Sequence, residues 1–127
     1  MRGDFMSNPI SVLVVEDEPL IRLGVVSDFE QAGFNVLEAD TTDEALSLLR
    51  SHPEIQALFT DVEMPGSING LKLAATVHDR WPPIKIMVTS GRVLVRKRDL
   101  PEDAQFVPKP YDNSQVISTL REMVMAA

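Results

Sequence analysis

Short apolar runs alternate with longer amphipathic stretches along most of the chain. Runs with the length and content of buried strands occupy residues 12–15, 35–39, 57–60, 84–88 and 106–107. Stretches with the helical spacing of apolar residues follow the first three runs, and another follows the fifth. Alternation of this kind, with short connections, predicts a parallel sheet with right-handed crossovers and helices on its faces.

Local signals indicate where several helices begin or end. Thr41 and Glu44 form a capping-box pair at the start of the second helix. The two prolines at 82–83 end the third helix, since proline cannot donate to the helical hydrogen-bond ladder. Asp112, together with Gln115, can cap the last helix.

One segment breaks the alternation. A fourth helix is expected before the fifth strand, but residues 92–104 have no long amphipathic repeat and contain Pro101. We expect one short helix or turn there, before the proline. The apolar run 93–95 beside the basic cluster 96–98 is typical of a contact surface for a partner protein. The same pattern is compatible with valines that pack on the sheet.

Length, charge and composition narrow the classes of function. The 127 residues suffice for one domain, and we expect residues 10–127 to form it after a disordered lead-in at 1–9. A net charge of −7 disfavours direct binding to nucleic acid, which requires clustered basic residues. The absence of cysteine excludes disulfides and thiolate zinc sites and fits the reducing cytoplasm. Neither a membrane-spanning run nor a signal peptide is recognisable, so no membrane association is expected.

Acidic residues and one lysine follow three of the predicted strands. Glu16 and Asp17 follow the first, Asp61 ends the third, and Lys109 follows the fifth. The carboxyl ends of parallel strands meet at one edge of the sheet, so these side chains should converge there. Crowded carboxylates favour a hard divalent cation such as Mg²⁺ or Mn²⁺. A carboxylate can also act as a nucleophile toward a phosphoryl group.

Four motifs, each after an apolar run, together resemble the receiver domain of two-component response regulators. They are Glu16-Asp17, Asp61 with Met-Pro-Gly three residues later, Thr89-Ser90-Gly91 and Lys109-Pro110. The resemblance covers roughly residues 11–125. It implies an α/β, flavodoxin-like (βα)5 doubly wound sheet of five parallel strands in the order 2-1-3-4-5, with a short or irregular fourth helix. We expect a stand-alone receiver, similar to chemotaxis regulators.

The resemblance implies a role for each residue at the strand ends. Asp61 would be the phosphoacceptor. Asp17, Asp61 and the backbone carbonyl of Glu63 would bind Mg²⁺ or Mn²⁺, and Glu16 would act on the metal through water. Lys109 would pair with Asp61 at rest and with the phosphoryl oxygen after transfer, and the Lys109–Pro110 peptide would be cis.

A switch hydroxyl is also expected at the end of the fourth strand. Ser90 with Gly91 behind it fits the rule that a small residue follows the hydroxyl, and Thr89 with Ser90 behind it remains the alternative. Phe106 occupies the place of the family's rotating aromatic ring.

Two further residues flank the predicted path of attacking water. Glu63 lies two residues after Asp61, and Arg92 lies two after Ser90. An acid and a base at these places could pair across the mouth of the pocket and tune the lifetime of the phosphoryl group.

The function implied is that of a signalling switch and not of a metabolic enzyme. The protein would accept a phosphoryl group from a sensor histidine kinase or a histidine phosphotransfer protein, promote its later hydrolysis, and signal by contact with a downstream protein. We expect a monomer or weak dimer. The alternative is a receiver-fold interaction module that acts without phosphorylation. A flavodoxin is disfavoured, because Glu16-Asp17-Glu18 would repel a flavin phosphate.

Overall fold

Five parallel strands form one sheet in the order β2-β1-β3-β4-β5 in the computed structural model, which describes residues 9–126. The strands are β1 (Ser11–Val15), β2 (Asn35–Ala39), β3 (Ile55–Asp61), β4 (Lys85–Ser90) and β5 (Gln105–Pro108). The predicted fold class and strand order are confirmed. The predicted lead-in lies outside the described residues, apart from Pro9.

The α-helices in the described range are α1 (Pro19–Gln31), α2 (Thr42–Ser51), α3 (Gly70–Arg80) and α4 (Asn113–Met125). Pro19 occupies the first turn of α1, where its missing N–H costs nothing. Gly33, just beyond the end of α1, has a φ of 99°, which glycine adopts without a steric penalty. Within residues 9–126, no helix has the length and apolar content that crossing a membrane requires.

Side-chain caps begin three helices: Asn69 caps α3 by accepting from the Lys72 amide at 2.9 Å, and the two predicted caps begin α2 and α4. The Thr41 hydroxyl accepts a hydrogen bond from the Glu44 amide at 3.0 Å, while the Glu44 carboxylate accepts from the amide of Asp40. Asp112 caps α4: its carboxylate accepts from the Ser114 amide at 2.9 Å, and the Gln115 amide donates to its backbone carbonyl at 3.1 Å. Each such cap stabilises its helix by about 1 kcal/mol.

The region between β4 and β5 contains only one short 3-10 helix, Lys97–Asp99, as the sequence predicted. The Asp99 carboxylate accepts a hydrogen bond from the Arg96 amide and so closes this turn. Val95 is buried, whereas Val93 is exposed and Leu94 is 77% exposed. One residue of the apolar run therefore packs into the core and two face outward.

The sheet separates two apolar layers. On one face, α1 and α4 pack on the sheet through Val25, Phe29, Val116 and Leu120. On the other face, α2 and α3 contribute Ala45, Leu49, Leu73 and Val77. Because both faces are covered, β1 is buried along its whole length, as expected for a central strand of a doubly wound sheet.

Candidate functional site

The polar cluster lies at the carboxyl edge of the sheet, where β1, β3, β4 and β5 end side by side. Asp61 is the last residue of β3, and Ser90 is the last residue of β4. Glu16 directly follows β1, and Lys109 directly follows β5. Asp61 and Glu16 are each only 4% exposed, which is unusual for carboxylates and indicates that they have partners.

Lys109 supplies the positive charge for both buried acids. Its Nζ lies 2.5 Å from Asp61 Oδ2 and 3.6 Å from Glu16 Oε1. Burial lowers the pKa of Lys109, but the hydrogen bond and charge of Asp61, together with the charge of Glu16, raise it above its ordinary value overall. The ammonium therefore stays protonated. The Lys109–Pro110 peptide is cis.

Two neighbours hold the Glu16 carboxylate. Its Oε2 accepts from the Glu18 amide at 3.0 Å, and its Oε1 faces Lys109. Burial raises the pKa of Glu16; the Glu18 amide and Lys109 lower it, and the charges of Asp61 and Asp17 raise it further, so the net shift is upward. The acids of this edge are thus close enough to repel one another.

The loop after β3 is fixed to the end of the strand. The Asp61 Oδ1 atom accepts a hydrogen bond from the Glu63 amide at 3.2 Å, so both oxygens of the carboxylate have a donor. Gly70, the first residue of α3, donates its amide to the Val62 carbonyl at 2.9 Å. A Cβ at Gly70 would lie 1.8 Å from the Asp61 carbonyl oxygen, so only glycine permits this approach.

Ser90 and Thr89 have different surroundings. The Ser90 hydroxyl donates to Glu63 Oε2 at 2.6 Å and accepts from the Val93 amide at 2.9 Å. Thr89 lies opposite Asp61 in the parallel register of β3 and β4 and is 2% exposed. Its hydroxyl has no hydrogen-bond partner among the described residues.

The pairing expected between Glu63 and Arg92 is wrong. No ion pair joins them within the described range, because the Glu63 carboxylate accepts from Ser90 instead. The Arg92 side chain is exposed, and its backbone amide lies 3.3 Å from the Ser90 hydroxyl oxygen. Phe106 is half-buried and packs against the apolar layer of α2 and α3.

The acidic edge offers oxygen donors, but its side chains are not gathered into a closed metal site. Asp17 is exposed, and within residues 9–126 no three Asp, Glu, His or Cys side chains are arranged to hold an ion. Asp17 and Asp61 nevertheless both raise the pKa of Glu16, so all three acids share one electrostatic environment. Oxygen ligands with room for retained water suit Mg²⁺ or Mn²⁺, so the residues fit such an ion by their chemistry.

Two residues that the sequence did not single out belong to this edge. Arg22 Nη1 donates to the Glu16 carbonyl oxygen at 2.8 Å, and its Nε donates to Glu38. The sequence signal that could have indicated Arg22 is a basic residue in the first turns of a helix that follows an acidic loop.

Tyr111, two residues after Lys109, packs edge to face on Phe59, with ring centroids 5.5 Å apart. Burial raises the pKa of Tyr111 to about 12, so its phenol stays protonated.

A groove of about 500 Å³ runs beside Lys109, between α1 and the loop that follows β5. Its walls are mainly apolar and include Leu20, Ile21, Pro110 and Tyr111. Leu20 is 82% exposed although it lies in the first turn of a helix that packs on the sheet. An apolar groove next to buried charges is a common feature of binding sites.

Known proteins share this sequence pattern. The sequence model of the response regulator receiver domain matches residues 12–121. The response regulator receiver protein CpdR of Brucella abortus (strain 2308) is 30% identical over 119 residues, which cover 91% of this chain and 98% of that protein. The sensor kinase CckA of the same organism is 34% identical over 123 residues, and the match spans 94% of this chain but 13% of the kinase.

The fold is shared with solved structures as well. The crystal structure of a response regulator receiver protein from Sinorhizobium medicae WSM419 superposes with a TM-score of 0.86 at 22% identity, covering 94% of this chain and 98% of that one. The chain therefore belongs to the response regulator receiver domain family, whose members are signalling switches of two-component systems.

Proposed function

We propose that this chain is a phosphoacceptor receiver and that Asp61 accepts the phosphoryl group. The observation that carries the proposal is the buried Asp61–Lys109 pair at the edge of the sheet, 2.5 Å apart, with the Ser90 hydroxyl at the end of the adjacent strand. A carboxylate oxygen of Asp61 bonds to phosphorus while the bond from phosphorus to the donor's histidine nitrogen breaks. Residues 10–127 form the domain that carries this chemistry.

The surrounding residues stabilise the charge that moves onto the phosphoryl oxygens. Lys109 remains charged beside Asp61 and can donate to a phosphoryl oxygen. Ser90 supplies a hydroxyl donor to another oxygen. Asp17, Asp61 and the backbone carbonyl of Glu63 would hold Mg²⁺ or Mn²⁺, with Glu16 acting through water, and the ion would neutralise charge on the transferring oxygens.

The phosphodonor is a histidine kinase or a histidine phosphotransfer protein, and it binds over the groove beside Lys109. The similarity to CpdR and to the kinase CckA supports a donor of this kind. The exposed Leu20 and half-exposed Ile21 give a partner helix an apolar surface beside Lys109, the partner of Asp61. We place this exchange in the cytoplasm, a reducing compartment compatible with a chain that has no cysteine.

Intact-mass analysis after incubation with acetyl phosphate and Mg²⁺ tests the proposal. The wild-type chain should gain one phosphoryl group that alkali removes, and Asp61→Asn should gain none. Asp43→Asn, which changes an exposed acid of α2, is the matched control and should still be phosphorylated. An equal yield in Asp61→Asn would show that the acceptor lies elsewhere. A wild-type chain that gains nothing would favour the interaction module that acts without phosphate.

Glu63 and Arg92 tune the lifetime of the phosphoryl group in this proposal. Glu63 lies at the rim of the site, where its backbone amide donates a hydrogen bond to Asp61. Arg92 is exposed and lies two residues after Ser90. The rate of autodephosphorylation measures this role. A change to alanine at either position should alter that rate. Arg92→Ala should change the melting temperature little, since an exposed charge contributes roughly 0–1 kcal/mol to stability, whereas Glu63→Ala also loses the bond to Ser90.

A further inference from the structure

The Ser90 hydroxyl uses its full hydrogen-bonding capacity in this structure. It donates to Glu63 Oε2 at 2.6 Å, and its oxygen accepts from the amides of Val93 at 2.9 Å and Arg92 at 3.3 Å. A serine hydroxyl has one proton to donate and two lone pairs that accept. Ser90 is 3% exposed, so water does not readily replace these partners. The hydroxyl therefore cannot donate to any other group without leaving Glu63.

Glu63 connects this hydroxyl to the phosphoacceptor. Its backbone amide donates to Asp61 Oδ1 at 3.2 Å, while its side chain accepts from Ser90. Hydrogen bonds to an ionised carboxylate are shorter and roughly twice as strong as neutral ones, and the 2.6 Å distance is in that class. The resting position of the hydroxyl is thus set by a charged acceptor two residues after Asp61.

We infer that Glu63 is a positioning residue that competes with the phosphoryl group for the Ser90 hydroxyl. The inference rests on the proposed function and adds the identity of the competing acceptor. Before phosphorylation, Ser90 donates to Glu63. After phosphorylation, the same O–H turns to a phosphoryl oxygen on Asp61, and the Glu63 carboxylate is released. The added negative charge near Glu63 favours this exchange, because like charges in a partly buried site repel.

The exchange has a direct route to the surface. Val93 and Arg92 donate their amides to the oxygen that must move, and Val93 and Leu94 are exposed apolar residues of the same segment. Movement of the Ser90 hydroxyl away from Glu63 changes the geometry of the two hydrogen bonds that the Arg92 and Val93 amides donate to it. Residues 92–104 can shift easily in response, since a three-residue 3-10 helix is their only regular structure.

Titration with beryllium fluoride in the presence of Mg²⁺ tests the competition, because this reagent mimics a phosphoryl group on a carboxylate. Glu63→Ala removes the competing acceptor and should tighten binding about tenfold, in line with the loss of one hydrogen bond to a charged group. Glu18→Gln removes a charge from an exposed residue near the site and should bind as the wild type does. In a Ser90→Ala background, Glu63→Ala should tighten binding much less, since the competition for the hydroxyl is gone and only the charge repulsion remains.

The outcomes separate the two proposals. A wild-type chain that does not bind the reagent overturns the proposed function and the inference with it. Binding to the wild type with equal affinity for Glu63→Ala overturns the inference alone. A tightening of equal size in the Ser90→Ala background overturns it as well, because the whole effect would then come from the charge of Glu63 and not from the shared hydroxyl.

Amide exchange provides a readout that needs no phosphoryl group. In the unphosphorylated chain, Glu63→Ala frees the Ser90 hydroxyl, so exchange at the Val93 amide should accelerate several-fold. The Glu44 amide, which is bonded to Thr41 in another helix cap, is the internal reference and should not change. Unchanged exchange at Val93 would show that Glu63 does not hold the hydroxyl in place.

Discussion

Gly70 packs directly against the backbone of Asp61. A Cβ at this glycine would lie 1.8 Å from the Asp61 carbonyl oxygen and 2.9 Å from Val62 Cα. The amide of Gly70 also donates to the carbonyl of Val62. The start of α3 therefore fixes the position of the backbone that carries the proposed phosphoacceptor.

Gly70→Ala should destabilise the protein by about 3 kcal/mol or more, because backbone and not a flexible side chain blocks the added methyl group. Gly24→Ala is the matched control. Gly24 lies inside α1 with nothing within 4 Å of its ideal Cβ, so alanine should stabilise the helix by about 1 kcal/mol. Urea unfolding of both variants measures the difference. Similar stability in the two would contradict the close approach at Gly70.

The strand and helix order, and the meeting of Glu16, Asp61 and Lys109, follow from the sequence pattern. Apolar runs mark the strands, and parallel strands bring their carboxyl ends to one edge, so residues placed just after those runs must converge. The pattern does not specify how side chains turn within a loop. The bond from Ser90 to Glu63 depends on the path of residues 91–95, and the expected pair of Glu63 with Arg92 failed for that reason.

Arg22→Ala should weaken Mg²⁺ binding roughly tenfold, as expected for loss of a group that orients metal ligands. Arg22 donates to the Glu16 carbonyl oxygen at 2.8 Å and so holds the acidic loop after β1. Glu38→Gln removes the ion pair of Arg22 but leaves that bond intact, and should have a much smaller effect. Mg²⁺ titration followed by calorimetry distinguishes them. Equal losses in both variants would assign the effect to the ion pair.

Glu16→Gln should remove a pH-dependent loss of stability. Burial raises the pKa of Glu16, and the charges of Asp61 and Asp17 add to this rise against the opposing Glu18 amide and Lys109. The pKa of Glu16 in the folded chain lies above the ordinary value of 4.5. Between these two pKa values the folded chain therefore binds more protons than the unfolded chain. The stability from the protonated form is fully present below pH 4.5 and is lost as pH rises through the folded pKa.

Urea unfolding at a series of pH values, without divalent ions, measures this loss. In the wild-type chain, the contribution of Glu16 to the free energy of unfolding should decrease as pH rises above 4.5. Glu16→Gln should lack this decrease. Glu18→Gln changes an exposed neighbour and should keep the wild-type slope. If Glu16→Gln follows the wild-type curve, the buried carboxyl does not titrate as its surroundings require.

Thr89→Val and Ser90→Ala decide which hydroxyl acts as the switch. The Thr89 hydroxyl is buried without a hydrogen-bond partner among the described residues, whereas Ser90 bonds to Glu63, Val93 and Arg92. Valine keeps the shape of threonine and removes the unpaired hydroxyl, so Thr89→Val should stabilise the protein by about 1 kcal/mol. Ser90→Ala removes three hydrogen bonds and should destabilise it by about 1–2 kcal/mol.

The response to a phosphoryl analogue should divide the two variants in the same way. With beryllium fluoride and Mg²⁺, Thr89→Val should keep the change in amide exchange at Val93, because the hydroxyl bonded to that amide belongs to Ser90. Ser90→Ala should lose the change even if it still binds the analogue through Asp61 and Lys109. The opposite result, a response lost in Thr89→Val and kept in Ser90→Ala, would assign the switch to Thr89. The unpaired Thr89 hydroxyl, opposite Asp61 in the register of β3 and β4, would then be the donor that phosphorylation recruits.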